Sequence, residues 1–429
     1  MRIKVYCCLL LLLLGTRWLG AQSDKTASLS LTEAYGILEE RYPLLRNGAL
    51  LQQIAQNQRA QIDAEGKPVI SWKADARLQS ETINLESDDP MMPLNISRPL
   101  VSAQTYLDAS YVLLDGGLKE ARQNLVTAQV KTELQQQEVD RFQLRERVNQ
   151  LFLTISALRE QEVLFDLSVK DLAARQEQVK AGVEYGVLLP TELTQLLVKE
   201  QELLAQQDNI NYQLSGAIKS LEQLLDLQLS PSVNLTYPPL GAADLLPAIQ
   251  RPEQQLFQLK QEAVLAQVQL AESERKPKLQ VFAQAGIGYP NPLNLLDGNV
   301  APYGIVGAGF SWKLVDWDKT RLQKETFRLQ ATQLQNARET FDFNLSQGEA
   351  QYRAEMDRIN AQIIRDENIA ALQADILEQM AVQLDEGVIN SADYVNQLNA
   401  ELRARQNKAI HQIQLLQTQL NFWNNRGGF

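Results

Sequence analysis

Side chains that commonly carry chemistry are scarce in this chain. Its 429 residues include one histidine, His411, and two cysteines, Cys7 and Cys8. Metal sites, thiol chemistry and histidine-based acid–base catalysis depend on these residue types. We also find no spacing of a nucleophile with a base and no glycine loop between a strand and a helix that would hold phosphate. The sequence therefore favours a protein that is not an enzyme and has no cofactor and no metal site.

Two acidic residues remain as candidates for a functional role. Glu192 and Asp393 lie 201 residues apart, and each follows a glycine-containing turn, Gly186-Val187 and Gly387-Val388. Carboxylates at such positions can stabilise the first turn of a following helix through the helix dipole. This interpretation stays open beside any role that a family resemblance assigns to them.

Charge and composition narrow the classes of partner. The chain is 45% hydrophobic, and its formal net charge of -11 argues against a nucleic-acid partner, because binding to phosphates requires basic side chains. The first residues are basic, Val5 to Leu14 are apolar, and Ala21 is small. This pattern predicts a signal peptide over residues 1–21. The alternative, a membrane anchor, is disfavoured because the apolar run is too short to span a bilayer.

The chain contains an internal duplication. Ser110 to Asp115 resembles Ser311 to Asp316, and Gly186 to Leu188 resembles Gly387 to Ile389, both at an offset of 201 residues. Matches in one register predict two copies of one unit. We place the first repeat at 22–229, a proline-rich connector at 230–252, and the second repeat at 253–429.

Each repeat is predicted to run helix, strand, strand, very long helix, turn and shorter helix. Apolar and polar residues alternate in the strand segments, and apolar residues recur at three- and four-residue steps in the helical ones. The first repeat has a helix at 31–64, strands at about 70–82 and 104–114, and helices at 117–185 and 191–227. The second begins with a helix, followed by strands at about 279–289 and 303–314 and helices at 318–385 and 391–423.

Four strands of this length suit a tilted membrane-spanning sheet, but four cannot close into a barrel. Because open sheet edges are excluded from lipid, several chains must join, and three would give twelve strands. The fold class expected is therefore α+β and mostly α. Long coiled-coil-like helices would form a trimeric α-barrel, and the strands a twelve-stranded transmembrane β-barrel. The alternative is a periplasmic coiled-coil scaffold or adaptor without channel activity.

The layout resembles the TolC family of trimeric outer-membrane efflux channels. The resemblance rests on Leu29 to Ala34 followed by Pro43, on the strand ends at Asp115 and Asp316, and on the turns at Gly186 and Gly387. It covers essentially the whole chain after the signal peptide. It implies a homotrimer in outer-membrane lipid that extends into the periplasm as a passive conduit. It also implies a periplasmic adaptor and an inner-membrane transporter, of RND or ABC type, as partners in efflux or type I secretion.

The resemblance also assigns candidate site residues. Asp393 matches an acidic residue that lines the family's periplasmic entrance, and Glu192 is its counterpart in the first repeat. Asn396 stands in place of a second aspartate, and Ile389 in place of a gating arginine, so a salt-bridge lock is not expected at that position. The turn residues Gly186, Val187, Gly387 and Val388 match the region that contacts the adaptor.

Overall fold

The computed structural model describes residues 26–87, 90–91, 94–238, 250–294 and 296–428. The predicted signal peptide, both cysteines and residues 239–249 of the predicted connector lie outside these ranges. The described chain is α+β and mostly helical, as predicted. It divides into two compact units. Of the described residues, unit one contains 26–45, 141–238, 250 and 345–428, and unit two contains 46–87, 90–91, 94–140, 251–294 and 296–344.

Unit two contains a four-stranded antiparallel sheet. Its strands are β2 (Val69–Leu78), β5 (Val101–Leu114), β7 (Lys278–Tyr289) and β8 (Ala301–Ser311), in the order β2-β5-β7-β8. The β5–β7 pairing joins strands from the two sequence repeats. The loop between β2 and β5 contains a small hairpin of β3 (Asn84–Ser87) and β4 (Leu94–Ser97). Strands β2 and β8 form the two edges of the four-stranded sheet.

Two strands end earlier than the sequence predicts. β2 stops at Leu78 and not at about residue 82, and β8 also ends early. β8 stops at Ser311, which pairs with Lys278, whereas the sequence pattern continues to Leu314. The residue before Lys278 is Pro277, which has no N–H with which to extend the ladder. The alternating apolar residues of this segment therefore extend beyond the last residue that β7 can pair with.

The helices follow the predicted order with one break. They are α1 (Leu31–Arg41), α2 (Asn47–Glu65), α3 (Leu118–Glu184), α4 (Pro190–Leu225), α5 (Pro252–Ser273), α6 (Lys319–Asp385) and α7 (Ser391–Asn425). The helix predicted over 31–64 is interrupted at Pro43, where a short 3-10 helix (Pro43–Arg46) separates α1 from α2. Proline cannot donate the helical hydrogen bond and clashes with the preceding turn, which explains the break.

The aspartates at the strand ends begin the two long helices. Both side-chain oxygens of Asp115 accept backbone hydrogen bonds, from Gly117 at 2.8 Å and from Lys119 at 2.7 Å. In the second repeat, Asp316 accepts a hydrogen bond from the backbone of Thr320 at 3.2 Å. These bonds satisfy N–H groups that have no partner within the first helical turn. The repeated aspartate thus has a structural role at both positions.

The core of unit one lies along α1, α3, α4 and α7. Leu196, Leu203 and Ile210 recur at seven-residue steps in α4 and are buried, as are Phe152 and Ile155 in α3. A parallel pair of strands, β1 (Thr26–Ser30) and β6 (Leu229–Thr236), adds Leu29, Leu229 and Val233 to this core. The non-helical connector predicted at 230–252 contains most of a strand, β6, that was not predicted. The signal for this strand was the placement of Val233 and Leu235 on one face, with Asn234 and Thr236 on the other.

Candidate functional site

The two turns have the same hydrogen-bonded structure. At the end of α3, Gly186 N–H donates to Val183 O at 3.0 Å and Val187 N–H to Gly182 O at 2.9 Å. At the end of α6, Gly387 N–H donates to Leu384 O at 3.0 Å and Val388 N–H to Gln383 O at 2.8 Å. Both are Schellman motifs that end a helix. The glycines have φ of 75° and 71°, in the left-handed region that disfavours other residues.

Glu192 connects the turn of one repeat to that of the other. It lies in the first turn of α4, and its carboxylate accepts a hydrogen bond from the backbone N–H of Ser391 at 2.5 Å. Ser391 is the first residue of α7 and is fully buried. Within α7, Asn390 Oδ1 accepts a hydrogen bond from the N–H of Asp393 at 2.9 Å. Glu192 therefore caps the helix that follows the opposite turn.

The other predicted entrance residues lie around this cap with different exposures. Asp393 and Asn396 are exposed on the first turns of α7, whereas Ile389 is half-buried against the core of unit one. Val187 and Val388 are both largely exposed at the tips of the turns. The geometry thus separates an exposed aspartate, Asp393, from the glutamate that takes part in capping, Glu192.

A polar cluster that the sequence did not predict lies beside the turns, between α3, α6 and α7. The phenol of Tyr394, which is fully buried, donates to Asp171 Oδ2 at 2.7 Å. Arg175 Nη1 forms an ion pair with Asp385 Oδ2 at 3.0 Å. The buried Glu401 forms an ion pair with Arg405, one turn further along α7. These side chains, except Asp385, line a cavity of about 400 Å³, together with Leu167, Ser168, Ala374, Leu377, Glu378, Ala381 and Leu398.

Burial changes the titration of two members of this cluster. It raises the pKa of the Tyr394 phenol far above its usual range, and the neighbouring Asp171 carboxylate adds to the shift. Burial also raises the pKa of the Glu401 carboxyl, although the Arg405 guanidinium opposes this shift. Removal from water disfavours the charged form of an acid, which is the cause in both cases. Tyr394 is thus kept as a neutral hydrogen-bond donor to Asp171.

The two faces of the sheet in unit two are chemically opposite. One face carries Ile70, Trp72, Leu107, Ile287 and Val306, and the other carries Lys73, Asp75, Gln104, Asp108 and Gln284. The apolar side chains are exposed: Val306 is 86% and Trp72 is 74% exposed. The Asp108 side chain, on the polar face, is only 14% exposed. This arrangement reverses the usual one in water, where apolar residues are enclosed.

Within the described ranges, no helix is both long enough and apolar enough to cross a membrane. The same residues contain no group of three or more His, Cys, Asp or Glu side chains that could hold a metal ion.

Comparisons with known proteins find matches only among solved structures. No protein-family model and no curated protein sequence matches the chain. The outer membrane protein VceC from Vibrio cholerae is 14% identical, with a TM-score of 0.68 over 93% of this chain and 96% of that one. The Campylobacter jejuni outer membrane channel CmeC gives 14% identity and a TM-score of 0.67 over 93% of this chain and 85% of that one.

The structure of the Neisseria gonorrhoeae outer membrane channel MtrE in its open state is also similar. Its sequence is 14% identical, and the match has a TM-score of 0.65 over 93% of this chain and 89% of the MtrE chain. All three neighbours are outer-membrane proteins, and CmeC and MtrE are described as channels. The likeness extends over nearly the whole chain, at an identity that shows the fold alone. The chain therefore has the α+β fold of TolC-like outer-membrane channel proteins, as the resemblance in its sequence predicts.

Proposed function

We propose that this protein is an outer-membrane channel that serves as a passive conduit for efflux or secretion. The reversed sheet is the observation that carries this proposal. A face of exposed Trp72, Leu107 and Val306 is costly in water but suits contact with lipid hydrocarbon, while the opposite face is polar enough to border water. The indole N–H of Trp72 donates to Thr105 Oγ1 at 2.8 Å, so this polar atom has a partner on the apolar face.

The open edges of the sheet support a homotrimer. Strands β2 and β8 each have a partner on one side only in the four-stranded sheet. In lipid, unpaired backbone groups at an edge are too costly, so the edges must pair with other copies of the chain. Three copies would close a barrel of twelve strands. In unit one, Ile364, Leu372 and Val382 of α6 are also exposed apolar residues that contacts between copies could cover.

The helices would extend the conduit into the periplasm. The tips of the turns, with exposed Val187 and Val388, are the surface we assign to a periplasmic adaptor. An inner-membrane transporter, of RND or ABC type, would supply the energy, because the described chain offers no phosphate loop or metal cluster. The description of one structural neighbour as an open state supports a conduit that opens and closes.

We place the periplasmic entrance at the turns, with Asp393 as its exposed acidic residue. Three copies would bring three Asp393 carboxylates around one axis and favour the passage of cations. Glu192 would act indirectly, because its carboxylate caps α7. The contacts of Asp171 with Tyr394 and of Arg175 with Asp385 link α3 to α6 and α7, and we assign to them the closed arrangement of the entrance.

The test is single-channel conductance of the mature protein in a planar bilayer. We expect stable cation-selective steps, with a larger conductance after Asp393→Ala because the smaller side chain widens the entrance, and with weaker cation selectivity because the carboxylates are gone. Steps that Asp393→Ala leaves unchanged would keep the channel but move the constriction elsewhere. A folded sample that never inserts would refute the channel and favour a periplasmic scaffold.

A further inference from the structure

The polar face of the sheet carries few charges, and its carboxylates already have partners. The Lys, Arg, Asp and Glu residues on this face are Lys73, Asp75, Arg77, Asp108 and Lys278. Lys73 Nζ lies 2.9 Å from Asp108 Oδ2, and Arg77 Nε lies 3.3 Å from Asp75 Oδ2. The pairing contrasts with the formal net charge of -11 for the whole chain.

The Lys73–Asp108 pair is the most enclosed of these contacts. Asp108 Oδ1 also accepts a hydrogen bond from Gln284 Nε2 at 2.7 Å, so strands β2, β5 and β7 all contribute to the cluster. Lys73 lies near the middle of β2 and Asp108 near the middle of β5. The pair therefore lies well inside the sheet, away from its ends.

Pairing decides what electric field this face presents to a passing ion. A lone carboxylate in a narrow aqueous passage acts over roughly 10 Å at 0.1 M salt. Two opposite charges 2.9 Å apart form a short dipole, whose field falls off much faster with distance. The paired part of this face thus neither attracts nor repels ions of one sign. The fifth charged residue, Lys278, lies at the end of the sheet, at the first position of β7.

We propose that the Lys73–Asp108 pair keeps the wall around it electrically neutral and thereby sets the ion selectivity of the middle of the strand-lined part of the channel. This inference rests on the proposed function, because it requires the polar face to line the conduit. Loss of Lys73 would leave an unpaired carboxylate in each copy, and loss of Asp108 would leave an unpaired ammonium. The two losses should move selectivity in opposite directions.

The experiment measures reversal potentials of the mature protein in planar bilayers under a KCl gradient at low salt. We expect Lys73→Gln to raise the K⁺-to-Cl⁻ permeability ratio about twofold or more, and Asp108→Asn to lower it by a similar factor. The double variant Lys73→Gln with Asp108→Asn should return to the original ratio, because it has no charge at either position.

Two further variants control for side-chain size and for folding. Gln280→Asn changes an uncharged side chain on the same face and should leave the ratio unchanged. Exchange of the pair, Lys73→Asp with Asp108→Lys, keeps an ion pair in the sheet and should keep the original ratio even if a single substitution prevents assembly.

The outcomes separate the two proposals. Conducting channels whose ratio is the same in all variants would overturn the role of the pair and leave the channel function intact. A double variant that differs from the original as strongly as either single variant would also overturn it. Absence of conductance from folded protein would refute the channel itself, and this inference with it.

Discussion

Among single residues, Glu192 has the role most open to a direct test. Its carboxylate accepts the N–H of Ser391, a group that begins α7 and has no partner within that helix. We expect Glu192→Ala to speed the exchange of this amide about five- to tenfold, because a lost cap costs about 1 kcal/mol. Hydrogen–deuterium exchange of peptides covering 389–395 measures this effect. Asp393→Ala is the matched control, and an equal effect from it would contradict a special capping role for Glu192.

The protonation of Glu401 should make the stability of the protein depend on pH. Burial raises the pKa of Glu401 above its unfolded value, so the folded protein holds this proton more tightly. The contribution of Glu401 to stability is therefore fully present below the unfolded pKa and is lost as pH rises through the raised folded pKa. We expect Glu401→Gln to leave the melting temperature almost unchanged near pH 4 and to raise it at pH 7.5.

Other charges around Glu401 set the control for that experiment. Arg405 on α7 and Arg175 on α3 are the cations of the cluster, and Asp171 and the exposed Glu378 are further acids at the same cavity. Glu378→Gln removes one of these acids at an exposed position and should change the melting temperature less at either pH. A gain for Glu401→Gln that is equally large at pH 4 and pH 7.5 would show that burial of the charge is not the cause.

At the scale of an element, each turn depends on the conformation of one glycine. Gly387 has a φ of 71°, and no atom lies within 4 Å of where its Cβ would be, so conformation and not space excludes other residues. We expect Gly387→Ala to lower the free energy of unfolding by about 1 kcal/mol, whereas Gly387→Asn should cost less because asparagine tolerates this region. Denaturant titration checks the order of the two variants.

Gly216 provides the matched control for the turn. It lies inside α4, has open space around its Cβ position, and has an ordinary helical φ. Gly216→Ala should therefore stabilise the protein by about 0.5–1 kcal/mol, the opposite sign to Gly387→Ala. Equal losses at both positions would mean that the left-handed conformation is not what makes Gly387 necessary.

For the whole molecule, the decisive question is what pairs with the sheet edges. We expect cysteines on β2 and β8, such as Ala74→Cys with Val306→Cys, to form disulfides between copies and give a covalent ladder that ends at the trimer. The register between β2 of one copy and β8 of the next decides which residues are adjacent. The first cysteine is therefore placed in turn at each position from 70 to 78 on the apolar face of β2. Denaturing gels without reductant resolve the ladder.

In the control, the first cysteine lies on a strand that already pairs with a neighbouring strand on each side. Leu107 lies on β5, which pairs with β2 on one side and β7 on the other. Leu107→Cys with Val306→Cys should therefore give no ladder. Covalent species that grow beyond the trimer, or a sample that stays monomeric at every β2 position, would contradict closure by three chains.

The sequence by itself determined the elements and their repetition. Alternation of apolar and polar residues predicted strands such as β2, and apolar residues at three- and four-residue steps predicted the long helices such as α3. The offset of 201 residues also anticipated that the two turns would match, and both turns proved to have the same hydrogen bonds. Each strand, helix and turn can be predicted from the sequence because it depends on residues only a few positions apart.

Only the tertiary structure decided which elements meet and what the acidic residues do. The bond from Ser391 to Glu192 joins residues 199 apart, and that from Tyr394 to Asp171 joins residues 223 apart. No local periodicity encodes such a pair, because it forms only when packed helices bring the two residues together. The sequence likewise did not predict the pairing of β5 with β7, the pairing of β1 with β6, or the ion pair of Lys73 with Asp108. Each depends on strand register and packing, which arise from the whole chain.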